Sequence, residues 1–213
     1  MMKLLEDFAD EHRLVDRVAG SLVRFAERVV EGAADASDVT DFVRFFRVFV
    51  AGYHHEREEQ VLFPALIDRA EVPGDHGPLV VIEADHREAA ALVDELAAGA
   101  DDPGRSAVVA RRLAHHLWEH VDKEDSVLLP EAEQRLIRGG VPRLEGRPPT
   151  EDEQAARDLG ERLTERFPPL DDPEVVRGDG CVACSAFTET CGGIEKEWWN
   201  TWEKEYHRTL DEG

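Results

Sequence analysis

Apolar residues recur at intervals of three and four positions along most of the first 140 residues, as on a helix with one buried face. The pattern predicts four helices, over residues 2–31, 38–70, 78–98 and 105–138. Glycine and proline separate them, at Gly32, Pro73-Gly74, Gly99 with Pro103-Gly104, and Gly139-Gly140. Four helices joined by short loops predict an all-α fold, an up-down-up-down four-helix bundle.

The second and fourth predicted helices carry related stretches of sequence. HHEREEQVLFP at residues 54–64 aligns with HVDKEDSVLLP at residues 120–130, and a lone histidine, His12 or His86, precedes each stretch. The order is therefore His, His-x-x-x-Glu, His, His-x-x-x-Glu, which is one duplication and not a long repeat array. Each stretch ends on a proline, and we expect Pro64 and Pro130 to bend or end their helices.

The duplicated pattern predicts a buried metal site. Residues four apart share one helix face, so both His-x-x-x-Glu pairs can point into the bundle. Carboxylates buried there without partners would be costly, and cations between them remove that cost. A single histidine on an apolar stripe is usually a core residue, but chance does not readily produce the duplication. Imidazole with carboxylate suits iron, manganese or zinc. The predicted ligands are His12, His54, Glu58, His86, His120 and Glu124.

Several other polar residues stand within one turn of a predicted ligand. His116 and Tyr53 are candidates for an extra ligand or for a hydrogen bond to a ligand, although packing is the plainer interpretation of both. We expect His55 and His115 to face away from the site, toward solvent or toward the outer side of a ligand. We expect Glu59 and Glu83 at the surface, with a position near the mouth of the bundle as the alternative.

These motifs resemble the hemerythrin-like family, also called HHE cation-binding domains. Residues 53–64 are similar to the family's second-helix signature, Asp85-His86 to its third-helix histidine and His120-x-x-x-Glu124 to its fourth-helix pair. His12 stands where the first-helix histidine is expected, and the resemblance covers about residues 4–138. It implies a non-haem centre of two iron ions, bridged by the two carboxylates and an oxo or hydroxo group.

The chain also departs from the oxygen-carrying members of that family. Those proteins have His-x-x-x-His on the third helix, whereas Ile82 and Ala90 lie one turn either side of His86 here. They also place an aspartate five residues after the fourth-helix histidine, where this chain has His-x-x-x-Glu. These differences disfavour reversible oxygen carriage. The pattern is more similar to variants with four histidines and two glutamates, some of which are associated with peroxide breakdown or with iron and oxygen sensing.

Composition narrows the function classes. The net charge is −22, from 47 acidic and 25 basic residues, and such a surface would repel nucleic acid. No apolar run has the length needed to cross a membrane. The acidic N-terminal stretch MMKLLEDFADEH does not look like a signal peptide. We therefore expect a soluble cytoplasmic protein with no nucleic-acid or membrane partner.

The sequence changes character after residue 140, so we predict a metal-binding bundle over 1–140 and a helical, cysteine-containing extension over 141–213. Prolines at 142, 148 and 149 form a linker, and 150–167 can form a charged fifth helix. Cys181, Cys184 and Cys191 follow. They are a candidate zinc site with His207, a redox pair with a third thiol, or reduced thiols in a cap with Trp198, Trp199 and Trp202. The extension is also the candidate surface for a protein partner or self-association.

Two functional interpretations stay open. In the first, the protein is a di-iron protein that binds or reacts with small oxygen species (peroxide, dioxygen or nitric oxide), with catalase-like peroxide disproportionation as one such activity. In the second, it is a non-catalytic iron or oxygen sensor that signals through its C-terminal extension. A bis-histidine haem bundle is disfavoured, because Glu58 and Glu124 would then be buried without cations. No separate acid–base catalyst is evident, and the sequence does not decide whether the protein is an enzyme.

Overall fold

The computed structural model describes residues 2–170, and within this range every regular element is helical. Five long helices follow one another. They are α1 (Lys3–Val30), α2 over 39–70, α3 (Pro78–Ala98), α4 over 103–138 and α5 (Glu151–Arg166). A short 3₁₀ turn, Ala36–Asp38, leads into α2. The first four helices lie within two residues of their predicted bounds, and the charged fifth helix is also present.

Local sequence signals explain where the helices begin. Asp102 accepts hydrogen bonds from the backbone N–H groups of Gly104 and Arg105, and Pro103 begins α4. Thr150 and Glu153 form a reciprocal capping box at the start of α5. Gly32 and Gly140 stand just after helix ends with positive φ angles of 70° and 79°, which a residue without a Cβ adopts at no steric cost.

Two apolar cores occupy the two ends of the bundle. The large core joins the second half of α1, the first half of α2, the second half of α3 and the first half of α4. The small core joins the opposite halves, through residues such as Leu5, Leu62, Leu79 and Leu128. The duplicated histidines and glutamates fall in sequence between the stretches that form the two cores. The fold therefore places them in a polar layer with apolar packing above and below.

Helices α2 and α4 contain π-helical turns, whose hydrogen bonds span five residues. In α2 these turns are Phe45–His55 and Glu58–Leu62, and in α4 the turn is Glu124–Leu128. Pro64 and Pro130 follow these turns, and both helices continue beyond their prolines, to Ala70 and Arg138. The residue before each proline bonds back five residues, to the carbonyl of Glu58 or Glu124. The wider turn gives the proline ring room, so neither helix ends there.

Helix α5 packs against the large core. Ala156, Leu163 and Phe167 belong to that core, and Gly160 lies against the ring of Phe45. No helix in the described range is long and apolar enough to cross a membrane. The predicted candidates Cys181, Cys184 and Cys191 lie outside the described residues.

The contact at Gly160 can be tested by Gly160→Ala. Helix propensity alone would make this change stabilising by about 0.5–1 kcal/mol. A Cβ at this position would lie 2.7 Å from Cδ2 of Phe45, and overpacking of this kind costs about 1–3 kcal/mol. We expect a lower free energy of unfolding in denaturant titrations. The exposed control Ala155→Gly should cost only about 1 kcal/mol of propensity, and a Gly160→Ala variant more stable than the parent would contradict the packing.

Candidate metal centre

The structure brings the six predicted ligands together in the polar layer. All six are buried, and His12, Glu58 and Glu124 have no exposed surface. His12 Nε2 lies 3.0 Å from His54 Nε2 and 3.0 Å from Glu124 Oε2. On the other side, His86 Nε2 lies 3.3 Å from Glu58 Oε2. Each of the first four helices contributes at least one of these side chains.

The polar atoms fall into two groups, each compact enough to surround one ion. Within each group the ligand atoms lie within 4.8 Å of one another. The first group is His12, His54, Glu58 and Glu124, and the second is His55, Glu58, His86 and His120. Glu58 belongs to both. Glu124 also faces both sides, with Oε1 at 4.0 Å from His86 Nε2. The two carboxylates therefore lie between two metal-sized groups.

The cluster also contains polar atoms that the protein leaves unsatisfied. Nine buried side-chain atoms of the described residues have no hydrogen-bond partner. Eight of the nine belong to this cluster, namely both carboxylate oxygens of Glu58 and of Glu124, both ring nitrogens of His120, and Nε2 of His55 and His86. Buried polar groups are normally paired because the loss of hydration is costly. Carboxylate and imidazole donors concentrated in this way fit a transition-metal centre.

Four outer carboxylates lie on the far side of the histidine rings, and three of them are within hydrogen-bond distance of a ring nitrogen. His12 Nδ1 lies 2.7 Å from Asp125, His54 Nδ1 2.8 Å from Glu11, and His86 Nδ1 2.7 Å from Glu59. Asp85 is 3.7 Å from His120 Nδ1, too long for a direct hydrogen bond. A carboxylate bound to Nδ1–H leaves Nε2 free to coordinate and fixes the orientation of the ring. Glu11, Asp85 and Asp125 were not among the predicted site residues, and Glu59 lies at the surface as predicted, with its side chain 43% exposed.

The four outer carboxylates stand at matched positions in the two halves of the duplicated sequence. Glu11 and Asp85 directly precede the lone histidines, and Glu59 and Asp125 directly follow the ligand glutamates. Two of the outer carboxylates also have a cationic partner. Arg57 binds Glu11, and Lys123 Nζ lies 2.8 Å from Asp85. Arg57 and Lys123 also occupy equivalent places in the two stretches. Acidic residues at matched positions of both copies could therefore have been predicted as partners of the ligands.

Burial and mutual contact shift the protonation of the cluster. Burial, together with the charge of Glu124, raises the pKa of Glu58 to about 7. Burial lowers the pKa values of His54 and His120. Burial acts in the same direction on His86, but Glu58 and Glu59 outweigh it and raise the His86 pKa to about 10. The contacts of His12 with Asp125 and Glu124 likewise raise its pKa against the effect of burial.

In the metal-free chain the neighbouring carboxylates therefore favour the protonated form of His12 and His86. A metal ion that used their Nε2 atoms would have to displace those protons.

His55 departs from expectation, because it is buried and only 4% exposed. Its ring lies face to face with that of His86, with centroids 3.8 Å apart and planes 8° apart. In an α-helix, successive side chains diverge by 100°, and the π-helical turn at Phe45–His55 reduces that angle. His54 and His55 can therefore both reach the interior. The hydrophobic pattern does not reveal the wider turn, which is why sequence reasoning pointed His55 away.

The two additional candidates lie outside both groups. His116 is half-buried, and its Nε2 donates to the backbone carbonyl of Asp85 at 2.8 Å. The Tyr53 ring lies beneath the guanidinium of Arg57 at 3.8 Å, and its hydroxyl donates to the carbonyl of Arg147 at 3.5 Å. Both side chains therefore contact residues around the cluster. His115 is exposed, as expected.

Comparisons with known proteins agree with this geometry. A family model described as the hemerythrin HHE cation binding domain matches residues 3–132, more than half of the chain. The iron-sulfur cluster repair protein YtfE of Edwardsiella ictaluri (strain 93-146) is 36% identical over 89 residues. That match covers 37% of this chain and 40% of the relative, so the similarity spans well under half of either protein. No solved structure matches the chain significantly.

The outer carboxylates generate a testable prediction. Asp125→Asn and Glu59→Gln keep the shape of each side chain but remove the charge that orients His12 or His86. We expect each to weaken iron binding roughly 10–100-fold, measured by anaerobic titration with ferrous iron. Glu88→Gln is the matched control, since Glu88 is exposed on the same helix as His86. Equal affinities in all three variants would show that these carboxylates do not support the ligands.

Proposed function

This chain belongs to the hemerythrin HHE cation-binding family, and from that premise we propose that it is a non-haem di-iron protein that binds or reacts with small oxygen or nitrogen species. The observation that carries the proposal is the pair of buried ligand groups that share Glu58. One such group would suit a single ion. Two groups joined by a carboxylate suit two ions held close together, as in other carboxylate-bridged helical bundles.

The proposal includes the up-down-up-down order of the first four helices. Alternate halves of successive helices meet in the large core, and the opposite halves meet in the small core. Antiparallel neighbours joined by short loops produce this arrangement. It also explains why the ligands occur near the middle of α1 and α3 and beside the π turns of α2 and α4.

We assign the ligands by half. His12 and His54 would hold one ion, His86 and His120 the other, and Glu58 and Glu124 would lie between them. Two bound irons would supply one-electron redox steps and coordination positions for a small ligand. The chain itself contributes orientation through the outer carboxylates and a dry setting through the two apolar cores. Arg57 and Lys123 balance the charges of Glu11 and Asp85, which are two of the four outer carboxylates.

The candidate ligands are dioxygen, nitric oxide and peroxide, with catalase-like peroxide disproportionation as one activity of the site. The relative named as an iron-sulfur cluster repair protein supports a role connected with iron and oxidative stress. A cytoplasmic location is also part of the proposal, as is a C-terminal zinc site at Cys181, Cys184 and Cys191.

A sensor function is the second candidate, and one chain of contacts favours it. Glu11 links His54 to Arg57. Arg57 packs against the segment between α4 and α5, where a Cβ on Gly146 would lie 3.1 Å from Arg57 Cδ. This segment and α5 both belong to the extension over 141–213. A change at His54 on metal or ligand binding would therefore reach the extension through contiguous contacts.

Metal analysis tests the proposal directly. After anaerobic reconstitution with ferrous iron and desalting, we expect two irons per chain, and fewer in Glu58→Ala and Glu124→Ala because each removes a shared carboxylate. His116→Ala should keep both irons. Zinc counted in the same samples, and lost in Cys184→Ser, would assign the cysteines. A wild-type chain that retains no iron would overturn the di-iron proposal.

The same reconstituted protein separates the two functions. Rapid oxygen evolution from peroxide, lost in both glutamate variants, is expected of the catalytic function. Tail protection against limited proteolysis that differs with and without iron is expected of the sensor. Identical cleavage patterns in the two states would count against signalling through the extension.

A further inference from the structure

A guanidinium is buried on the outer side of the first ligand group. Arg57 is only 2% exposed, and its side chain is held at several points. Its Nη2 donates to Oε2 of Glu11, and its Nε donates to the backbone carbonyl of Tyr53 at 3.2 Å. Its Cζ lies 3.8 Å from the centre of the Tyr53 ring and 5.0 Å from that of Phe8. Burial of a charged group is costly unless its charge and its donors are satisfied, so these contacts fix the position of Arg57.

Arg57 and His54 meet at one oxygen atom of Glu11. His54 Nδ1 lies 2.8 Å from Glu11 Oε2, which is the same oxygen that accepts from Arg57. A carboxylate that accepts from Nδ1–H keeps the ring proton on that nitrogen and leaves Nε2 free for a metal ion. Because Arg57 donates from a fixed position, it determines where this oxygen lies, and through it the tautomer and the orientation of the His54 ring.

The segment that follows α4 covers Arg57 from outside. The backbone N–H of Leu4 donates to the carbonyl of Leu144 at 3.1 Å, which places this segment against the start of α1. A Cβ on Gly146 would lie 2.8 Å from Cδ1 of Leu4 and 3.1 Å from Cδ of Arg57. A side chain at position 146 would therefore push against Arg57 while every ligand of the cluster stays unaltered in sequence.

The matching cation in the second stretch does not fix its histidine in this way. Lys123 Nζ lies 2.8 Å from Asp85, but the two side chains are 22% and 13% exposed, and contact with solvent weakens an ion pair. Asp85 is 3.7 Å from His120 Nδ1, and that nitrogen has no hydrogen-bond partner among the described residues. In the metal-free chain the His120 ring therefore lacks the hydrogen bond that fixes the tautomer of His54.

We propose that Arg57 is a positioning residue for the first ligand group, and that through Glu11 it holds the Nδ1–H tautomer of His54 and presents Nε2 to the ion. This inference rests on the proposed di-iron function, and it adds that one buried cation prepares one of the two metal positions before any ion binds. The charge of Arg57 would repel a metal ion, but Glu11, which contacts both Arg57 and His54, balances that charge. The net contribution of Arg57 is therefore orientation of the ring, so its removal weakens metal binding.

Histidine ring NMR tests the proposal without a metal ion. In long-range proton–nitrogen correlation spectra of the metal-free, full-length protein, we expect His54 to carry its proton on Nδ1 alone. Arg57→Met keeps much of the length of the side chain but removes its donors, and it should give a mixture of the two tautomers. Lys123→Met is the matched control and should leave the His54 signals unchanged. A wild-type His54 with its proton on Nε2, or an unchanged tautomer in Arg57→Met, would overturn the proposal.

Two milder changes carry the same test if the buried charge of Glu11 prevents Arg57→Met from folding. Arg57→Lys keeps a cation for Glu11 and should retain the Nδ1–H tautomer of His54. Gly146→Ala should shift His54 part of the way toward the mixture, because the added Cβ presses on Arg57. A mixture in Arg57→Lys as complete as in Arg57→Met would show that packing, and not the contact with Glu11, determines the tautomer, and would overturn the proposal.

Iron titration then locates the effect within the centre. In His120→Ala, whose remaining ion would lie at the first ligand group, Arg57→Met should weaken ferrous iron binding roughly 10–100-fold. In His54→Ala the same change should alter the affinity by no more than about twofold, because the ring that Arg57 positions is absent. Equal weakening in both backgrounds, or tighter binding in the first, would contradict the proposed role. A wild type that binds no iron would refute the proposed function, whereas the NMR result would still decide the role of Arg57.

Discussion

Two carboxylates with no exposed surface, Glu58 and Glu124, lie between two apolar cores and have no hydrogen-bond partner among the described residues. Such groups destabilise a fold unless positive charge balances them. Four histidine rings surround them, and the outer carboxylates orient those rings. Arg57 and Lys123 in turn hold two of the outer carboxylates. The histidines balance the buried carboxylates, the outer carboxylates bind the histidines, and the two cations bind two of the outer carboxylates. This pairing explains why so many ionisable groups are buried in a helical bundle of this size.

The duplication determines which outer carboxylate contacts which histidine. Glu11 and Asp85 face histidines of their own half, His54 and His120, whereas Glu59 reaches across to His86 and Asp125 reaches across to His12. Neither half could therefore complete its own ligand set or its own outer layer. These contacts link the two halves of the chain. Removal of a carboxylate that contacts a histidine of the other half would leave that histidine without its charged partner.

Much of this could be predicted from the sequence, for reasons that differ between residues. The helix bounds followed from the 3.6-residue repeat and from breakers such as Gly32, and the duplicated spacing predicted which six side chains would lie together in the polar layer. The π-helical turns could not be predicted, because the hydrophobic pattern is insensitive to whether a hydrogen bond spans four or five residues. The position of His55 depends on those turns. The outer carboxylates were missed for another reason, since acidic residues are common on helices and only their matched positions distinguish Glu11 and Asp125.

The departures from symmetry indicate how the two ligand groups differ. His55 aligns with Val121 in the second stretch, and Val121 is buried in the large core. Asp85 lies 3.7 Å from His120, whereas Glu11 lies 2.8 Å from His54. The second ligand group therefore contains three imidazole rings, those of His55, His86 and His120, whereas the first group contains only those of His12 and His54.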